Sequence, residues 1–405
     1  MERPGILTGK RILLGVSGGI AAYKAVEVLR KLMELGAEAR VVITRNAARF
    51  VAPLTFSALS GKPVLTDEFS EDGWGPMGHI AVTDGLDLAL VAPATANIIG
   101  KLSAGIADDA LSTALMAAEC PVIIAPAMNE RMFRNAFLQR NIGNLRAVGI
   151  RIVEPEIGAL ACGTSGQGRL ASPDRIVQAV QTALSLKDLV GMTVLVTAGP
   201  TREPIDAARF ISNPSTGKMG YALAAEARNR GADVMLISGP THLHPPQGVN
   251  HRSVTTAAEM HRAVRDHAGR CQIIIMAAAV SDFRPKEPSE RKLKKEGASL
   301  TITLERTEDI LQGLGDAREG QVLVGFAAET DDLIRNAGDK LKKKNLDLIV
   351  ANTIGLPGGG FASDMNEAVL IERRGNITEL PRMTKTELAA RIMDAIVELK
   401  KNQGL

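Results

Sequence analysis

Apolar runs of strand length alternate with segments of helical period along the chain, and this alternation starts twice. The first start is RILLGVSGG at residues 11–19, and the second is GMTVLVTAGP at residues 191–200. A strand buried on both faces reads as a continuous apolar run, and it reaches a parallel neighbour through a crossover that is usually a helix. The pattern therefore predicts an α/β fold with two doubly wound, mostly parallel sheets.

The same runs place the individual strands and the division between the two halves. The segment SLKDLVG at 185–191 lies between a predicted helix and the second start, so we expect domains at 1–187 and 188–405. A length of 405 residues suits two domains. The strands are predicted at 11–19, 39–45, 86–93, 121–128, 151–155, 191–200, 232–238, 271–280, 322–330, 347–353 and 368–374, with a closing amphipathic helix over about 384–400.

Composition excludes several classes of protein. No apolar run approaches the ~18 residues of a membrane-spanning helix, and the N-terminal MERPGILTGK lacks the apolar region of an export signal. Cys120, Cys162 and Cys271 are too far apart for a disulfide framework or a thiolate metal cluster, and they suit a reducing cytoplasm. A net charge of +3 and 3% aromatic residues argue against a nucleic-acid surface. We therefore expect a cytoplasmic protein that acts on small molecules.

The first predicted strand ends in the turn GVSGGIAAYK. Ser17, Gly18 and Gly19 would let a phosphate approach the backbone at the start of the following helix, where free N–H groups favour an anion. The turn is not GxGxxG, and the second strand ends in Thr44 and Arg45 instead of the acidic residue that holds an adenosine ribose. A mononucleotide such as FMN therefore fits better than NAD, although the turn by itself suits an ordinary strand-to-helix connection equally well.

Further candidate residues follow later strands of the first half, at the sheet edge where ligands bind in open α/β folds. The run APATAN combines a proline and small residues, which leave room for a flat ring, with two polar side chains. A buried asparagine is costly unless it holds a ligand or a turn, and a cysteine in a glycine-rich loop can donate a proton where a buried strand cysteine is inert. The candidates are Pro93, Ala94, Thr95 and Asn97 in APATAN, Met128 and Asn129 in APAMNERMF, Cys162 in ACGTSGQGRL, and His79, although a lone histidine is more often structural.

Together these motifs resemble the flavin-dependent cysteine decarboxylases, in particular the phosphopantothenoylcysteine decarboxylases, over about residues 10–180. The resemblance implies an FMN cofactor held by the glycine turn, Thr44, the APATAN residues and Met128. It also implies oxidation of the substrate thiol to a thioaldehyde, loss of the adjacent carboxylate, and reduction of the resulting ene-thiol by the flavin. In this scheme His79 is the base in thiol oxidation, Asn129 holds the substrate carboxylate and Cys162 donates the final proton.

The second half carries a different set of polar turns. The segment ARFISNPSTGKMG places Asn213, two hydroxyl residues, a glycine and a lysine before a predicted helix. This combination suits a bound anion, and it suits ordinary helix capping as well. In AAAVSDFRPK, Asp282 directly follows an apolar strand, where a carboxylate can hold Mg²⁺ bridged to a triphosphate.

Lysines are concentrated in two later segments. Lys292 lies in KEPSERKLKKEG, which by itself reads as a solvated loop but which can also place positive charge over a reacting phosphate. Lys340 and Lys344 are four residues apart and thus on one helical face, and Phe326 in GFAAET is placed to cover a base. The sequence has no Walker A motif, which excludes an ordinary P-loop kinase.

This half, about residues 191–405, is similar to the phosphopantothenate–cysteine ligases. The resemblance implies that CTP activates 4′-phosphopantothenate to an acyl cytidylate, which the amine of cysteine then attacks. Asn213 would contact the acyl intermediate, and Lys292 would stabilise the transition state. Asp282 is implied to contact CTP and would also hold Mg²⁺. In the turn TEDI, Glu308 stands where the family commonly has proline. The other residues implied to contact CTP, with Glu308, are Asp309, Ile310, Phe326, Lys340 and Lys344.

The two resemblances concern consecutive steps of one pathway, and they favour a bifunctional coenzyme A biosynthesis enzyme with two Rossmann-like domains, decarboxylase type and then ligase type. They also imply a homo-oligomer in which flavin domains form trimers and ligase domains pair, often as a dodecamer. A nicotinamide-dependent two-domain oxidoreductase is the main alternative, but the first half lacks its GxGxxG turn and acidic residue. A non-catalytic flavoprotein regulator is the third interpretation, and it would need neither Cys162 nor the lysine segment.

Overall fold

The computed structural model describes residues 7–69, 73–75, 77–159, 165–293, 300–329, 332–353, 363 and 365–403. The chain divides into two compact units, residues 1–185 and 186–405, which we call unit 1 and unit 2. The division lies two residues before the boundary expected from the sequence. Each unit has its own central sheet.

Unit 1 alternates strands and helices along the chain. Its strands are β1 (Arg11–Val16), β2 (Glu38–Ile43), β3 (Val64–Leu65), β4 (Leu88–Ala94), β5 (Val122–Pro126), β6 (Arg151–Ile152), β7 (Glu156–Ala159) and β8 (Ser165–Arg169). Its helices are α1 (Lys24–Glu34), α2 (Pro53–Ser60), α3 (Gly78–Ala81), α4 (Ala96–Ala104), α5 (Ala110–Ala117), α6 (Glu130–Phe133), α7 (Ala136–Ala147) and α8 (Pro173–Leu184), with 3₁₀ helices at Ile20–Tyr23 and Ala47–Arg49. One parallel sheet has the order β3-β2-β1-β4-β5-β6, and β7 and β8 form an antiparallel hairpin.

The sheet of unit 1 is covered on both faces, as its continuous apolar runs predict. In β1, Ile12 and Leu14 pack into the core on one face and Leu13 into the core on the other. Burial of each such side chain contributes roughly 1.5–3 kcal/mol. In this sheet β2 lies on one side of β1, and β4 lies on the other side. The strand connections therefore diverge between β1 and β4, and they leave a crevice at the carboxyl ends of the strands.

Unit 2 repeats this plan and extends it. Its strands are β9 (Thr193–Ala198), β10 (Arg202–Pro204), β11 (Phe210–Ser212), β12 (Asp233–Ser238), β13 (Asn250–Ser253), β14 (Ile273–Met276), β15 (Phe283–Pro285), β16 (Leu304–Arg306), β17 (Val322–Glu329), β18 (Leu348–Thr353), β19 (Met365–Glu372) and β20 (Ile377–Thr384). Its helices are α9 (Lys218–Asn229), α10 (Ala257–Ala268), α11 (Ile310–Asp316), α12 (Leu333–Lys343) and α13 (Lys385–Gln403). The large sheet has the order β13-β12-β9-β14-β17-β18-β19-β20, and β10–β11 and β15–β16 are separate antiparallel pairs.

The large sheet of unit 2 is parallel from β13 to β18, whereas β19 and β20 run antiparallel to their neighbours. Two cores cover its faces, with Val194 and Val196 of β9 in one and Leu195 in the other. The expectation of a mostly parallel α/β fold in both halves is therefore confirmed. Among the described residues, no helix is both long and apolar enough to cross a membrane.

The sequence overestimated some strands and missed others. The run predicted as a strand at 271–280 is extended only over Ile273–Met276, and that at 151–155 only over Arg151–Ile152. Strand β20 was missed because it is a mostly exposed edge strand that contains Pro381 and has no apolar run. The short hairpins were missed for the same reason, since few of their side chains are buried on a core.

Candidate functional site

A cavity of about 1000 Å³ opens in unit 1 at the carboxyl ends of β1, β2 and β4. This is the crevice where the strand connections diverge, the usual ligand position in an open α/β sheet. Pro93 and Ala94 are buried at the end of β4 and do not line the cavity. Seven of the nine expected flavin-binding residues do line it, together with Asn129: Ser17, Gly18, Gly19, Thr44, Thr95, Asn97 and Met128.

Ser17 joins the two strand ends that form the base of this cavity. It is almost fully buried, and its hydroxyl donates to the carbonyl of Pro93 at 2.8 Å and accepts from the backbone N–H of Thr95 at 2.9 Å. The N–H of Thr44 donates to the carbonyl of Val16 at 3.0 Å, which brings the end of β2 alongside. These hydrogen bonds fix the three strand-end turns relative to one another.

Two glycines let the walls of the cavity pack closely. A Cβ atom on Gly18 would lie 2.3 Å from the Cβ of Asn46, and one on Gly168 would lie 2.4 Å from the carbonyl oxygen of Met128. Gly168 also has a φ of +145°, which other residues rarely adopt. The backbone segments that face each other across the site can therefore approach only because these side chains are missing.

Charged side chains that the sequence did not single out also line the cavity. They are Lys24, Arg45, Lys101, Asp109 and Arg169. Lys101 pairs with Asp109, which also caps α5 by accepting from the N–H of Ser112 at 2.9 Å. Burial raises the pKa of Asp109, but the hydrogen bonds from Lys101 and Ser112 outweigh it and hold that pKa below its usual value. The sequence signal that could have found the two arginines was their position. Arg45 lies two residues after the end of β2, and Arg169 is the last residue of β8.

Of the three residues implied in decarboxylation, the structure describes Asn129 and His79. Asn129 lines the cavity and caps α6 by accepting from the N–H of Arg131 at 2.8 Å. His79 lies on α3 and is not among the lining residues, and its Nδ1 is buried without a hydrogen-bond partner among the described residues. Cys162 lies outside the described residues.

In unit 2, Asn213 lies at the corresponding edge of the sheet. Its side-chain amide donates to the carbonyls of Ala279 at 3.1 Å and Val280 at 3.3 Å, just beyond the end of β14. Asp282 follows two residues later and is exposed. The structure therefore brings the end of β11 and the turn after β14 together.

A second group of predicted residues surrounds the start of α11. Lys344 Nζ donates to Asp309 Oδ2 at 2.6 Å, and Lys340 Nζ donates to the backbone carbonyl of Phe326 at 2.8 Å. Burial raises the pKa of Asp309, but the hydrogen bonds from Lys344 and from the N–H of Gln312 outweigh it and leave the pKa lowered.

The other residues of the TEDI turn are held differently. Glu308 pairs with His261 on α10, and Ile310 is buried in the core. Lys292 is exposed, and Lys294 and Lys295 lie outside the described residues. The structure therefore groups Asp309, Phe326, Lys340 and Lys344 and shows that Ile310 packs in the core.

The other cysteines and the acidic residues offer no metal centre in the described part of the chain. No group of three or more His, Cys, Asp or Glu side chains is arranged there to hold a metal ion. Cys120 is half-buried and Cys271 is buried; burial raises the pKa of both thiols, that of Cys271 to about 11.

Two domain families match the chain. Residues 2–185 match the Flavoprotein family, and residues 189–399 match the family described as the DNA/pantothenate metabolism flavoprotein C-terminal domain. The two matches cover unit 1 and unit 2 in turn.

Similar full-length proteins come from several bacteria, and each is a coenzyme A biosynthesis bifunctional protein CoaBC. The one from Bacillus subtilis is 47% identical over 98% of this chain and 99% of its own length. The protein from Vibrio cholerae is 45% identical over 97% and 99%, and that from Escherichia coli K12 is 43% identical over 96% and 97%. These matches confirm the interpretation as a two-activity enzyme, phosphopantothenoylcysteine decarboxylase and phosphopantothenate–cysteine ligase, over the nicotinamide-dependent alternative. The chain belongs to the family of bifunctional coenzyme A biosynthesis proteins.

Proposed function

We propose that unit 1 uses FMN to decarboxylate 4′-phosphopantothenoylcysteine to 4′-phosphopantetheine, and that unit 2 uses CTP to join 4′-phosphopantothenate to cysteine through an acyl cytidylate. On this proposal residues 1–187 form the decarboxylase and residues 188–405 the ligase, so the second half of the chain makes the substrate of the first. The observation that carries the proposal is the cavity of about 1000 Å³ in the unit that matches the Flavoprotein family.

The cavity suits FMN in size and in the chemistry of its walls. The turn of Ser17, Gly18 and Gly19 leads into a helix, so its backbone N–H groups and the nearby guanidinium of Arg45 favour the phosphate. Thr95, Asn97 and Met128 would lie beside the isoalloxazine ring, for which the APATAN run leaves room. When bound, FMN supplies the two-electron chemistry that oxidises the substrate thiol and later returns the electrons.

The protein side chains would supply binding and proton transfer. Asn129 lines the cavity, and its amide would hold the substrate carboxylate before that group leaves. His79 would accept the proton of the substrate thiol, and Cys162 would return a proton in the last step.

The position of His79 supports self-association. It is not among the residues that line its own chain's cavity, but the exposed apolar side chains of Met77 and Ile80 flank it. Ile20 and Tyr23 are exposed at the cavity. Contact between these apolar surfaces in a homo-oligomer would bring His79 of one copy to the cavity of another, as in the trimers and the dodecamer expected from the sequence.

In unit 2, the charged side chains suit a nucleotide substrate. CTP would be contacted by Lys340, Lys344, Glu308 and the Asp309–Ile310 turn. Phe326 would cover the base, and Asn213 would contact the acyl intermediate. Asp282 would hold Mg²⁺ that arrives bound to the triphosphate. Lys292 would neutralise charge that develops on the phosphorus oxygens. We place both reactions in the cytoplasm.

Separate assays of the two reactions test the proposal. The purified protein should be yellow, and His79→Asn should abolish CO₂ release from phosphopantothenoylcysteine while CTP-dependent pyrophosphate release continues. Lys292→Gln should slow pyrophosphate release by at least about tenfold and leave CO₂ release unchanged. Each variant is the control for the other. A colourless protein that takes up no FMN, or loss of both activities in either variant, would contradict the proposal.

A further inference from the structure

The carboxylate of Asp206 is buried in the turn between β10 and β11, and it binds donors from two distant parts of unit 2. The backbone N–H groups of Ala208 and Arg209 donate to its Oδ1 at 2.8 Å each, and Arg209 donates to Oδ2 through Nε at 2.9 Å and also through Nη2. The N–H of Leu293, 87 positions later in the sequence, donates to Oδ2 at 3.1 Å. Asp206 therefore ties its own turn to the residue that follows Lys292.

Arg209 makes a second link to the same residue. Its Nη2 donates to the carbonyl of Leu293 at 3.0 Å, so both backbone polar groups of Leu293 are held by the Asp206–Arg209 pair. The N–H of Ser289 donates to the carbonyl of Ile205 at 3.0 Å. The backbone on both sides of Lys292 is thus hydrogen-bonded to the turn at 205–209.

The same turn leads directly to Asn213. Strand β11 ends at Ser212, whose hydroxyl donates to the carbonyl of Thr201 at 2.7 Å, and Asn213 then binds the carbonyls after β14. The hydrogen bonds of Arg209 hold the pKa of Asp206 well below its usual value, so the carboxylate stays charged at neutral pH. Charge-assisted hydrogen bonds of this kind are stronger than neutral ones.

We propose that Asp206 is a positioning residue of the ligase reaction, which fixes the backbone beside Lys292 at a set distance from Asn213. This inference rests on the proposed ligase function of unit 2 and on the role of Lys292 in it. Asp206 itself need not touch substrate. It acts by holding Lys292 near the acyl intermediate that Asn213 would contact, and a misplacement of about 1 Å at such a group can cost up to a hundredfold in rate.

The test compares three variants of the full-length protein: Asp206→Asn, Lys292→Gln and the double variant. Asp206→Asn should lower kcat for pyrophosphate release about ten- to a hundredfold and change KM for CTP less than about threefold. The double variant should be no slower than Lys292→Gln alone, within about twofold, because a residue that acts through Lys292 loses its effect when Lys292 is absent. Multiplied losses in the double variant, or an unchanged kcat in Asp206→Asn, would overturn the proposal.

Hydrogen exchange gives a readout that does not depend on activity. The amides of Ser289 and Leu293 should exchange slowly in the wild type, and that of Leu293 should exchange faster in Asp206→Asn. Exchange of the Leu293 amide as fast as in an unstructured peptide in the wild type would also overturn the proposal. Asp266→Asn is the matched control, since Asp266 forms an exposed pair with Arg252 at 3.1 Å and should leave kcat unchanged. If Asp206→Asn does not fold, Arg209→Lys removes the link to the Leu293 carbonyl and should lower kcat in the same direction.

These outcomes separate the inference from the proposed function. Absence of CTP-dependent pyrophosphate release from the wild type would refute the ligase proposal, and normal release from Lys292→Gln would refute the role of that lysine. Neither result depends on Asp206.

Discussion

The two units arrange their first six sheet strands in the same relative order, yet their candidate sites are built in opposite ways. In unit 1 the site is a preformed space, bordered by backbone groups and by glycines that let its walls pack closely. In unit 2 the polar groups of the predicted site residues bind other groups of the protein, as Lys344 binds Asp309 and Asn213 binds the backbone carbonyls after β14. The shared sheet determines where each site lies, and the turns determine what it is made of.

This contrast suits the two proposed ligands. A cofactor that stays bound through many turnovers gains from a cavity that needs no rearrangement. A nucleotide that arrives and leaves in each turnover can be bound by charged side chains that pair with each other when the nucleotide is absent.

The strongest test adds a methyl group at a glycine in the cavity wall and, in a separate control variant, at another glycine of unit 1. Gly18→Ala would place its Cβ 2.3 Å from the Cβ of Asn46, so the turn must shift, and FMN binding should weaken by about 1.4–2.8 kcal/mol, or roughly ten- to a hundredfold. Gly143→Ala on α7 is the matched control, because Gly143 is exposed and outside the cavity lining, and its Cβ would meet no atom within 4 Å. Flavin absorbance during titration with FMN measures both affinities. Equal affinities in the two variants would show that space at Gly18 is not what limits the site.

In unit 2 the corresponding test separates a helix cap from an ion pair at Asp309. Asp309→Ala removes the acceptor for Gln312 N–H and the pair with Lys344, and it should lower the free energy of opening of α11 by about 1–2 kcal/mol. Asp309→Asn keeps a cap acceptor and should cost less than about 1 kcal/mol. Hydrogen exchange of the α11 amides measures both changes.

The pH dependence of the Asp309 pair has a defined sign. The folded-state pKa of Asp309 is lowered, so the stabilisation by the charged carboxylate is complete above its unfolded pKa of about 4 and is lost as pH falls through the lower folded value. The difference between wild type and Asp309→Asn should therefore be constant between about pH 6 and 8 and shrink in acid. A difference that grew on acidification would contradict the ion pair.

The smallest expected effect concerns a thiol in the core of unit 2. Burial raises the pKa of Cys271 to about 11, so only about one molecule in a thousand carries the thiolate at pH 8. Iodoacetamide should therefore label the half-buried Cys120 faster than Cys271 in the native protein, and both at similar rates in urea. Peptide mass spectrometry measures the two rates. Equal labelling in the native state would show that unit 2 opens more readily than its packing indicates.

Much of the fold was predictable because the central strands are buried on both faces. Strands such as β4 and β9 read as continuous apolar runs, and the positions of β1, β2, β12 and β18 followed from the same signal. Edge elements such as β20 gave no such signal, since their stability comes from pairing with a neighbour and not from an apolar run of their own.

The candidate site was predictable to the extent that it consists of strand-end turns. The motifs of Ser17–Gly19 and APATAN were found because they directly follow buried strands, at the sheet edge where ligands bind in open α/β folds. Arg45 and Arg169 were missed because an exposed arginine has no distinctive local pattern. The hydrogen bond from the Leu293 N–H to Asp206 was missed because it joins two residues that are far apart in the sequence.

The sequence by itself determined which segments become buried strands and which turns follow them, because the periods of apolar side chains and the backbone freedom of glycine are local properties. The tertiary structure alone decided which turns meet, and with them the cavity between Gly18, Thr95 and Gly168 and the hold of Asp206 on the backbone beside Lys292. Those contacts join residues tens of positions apart, and they exist only when the order of strands in the sheet brings the distant turns to one edge.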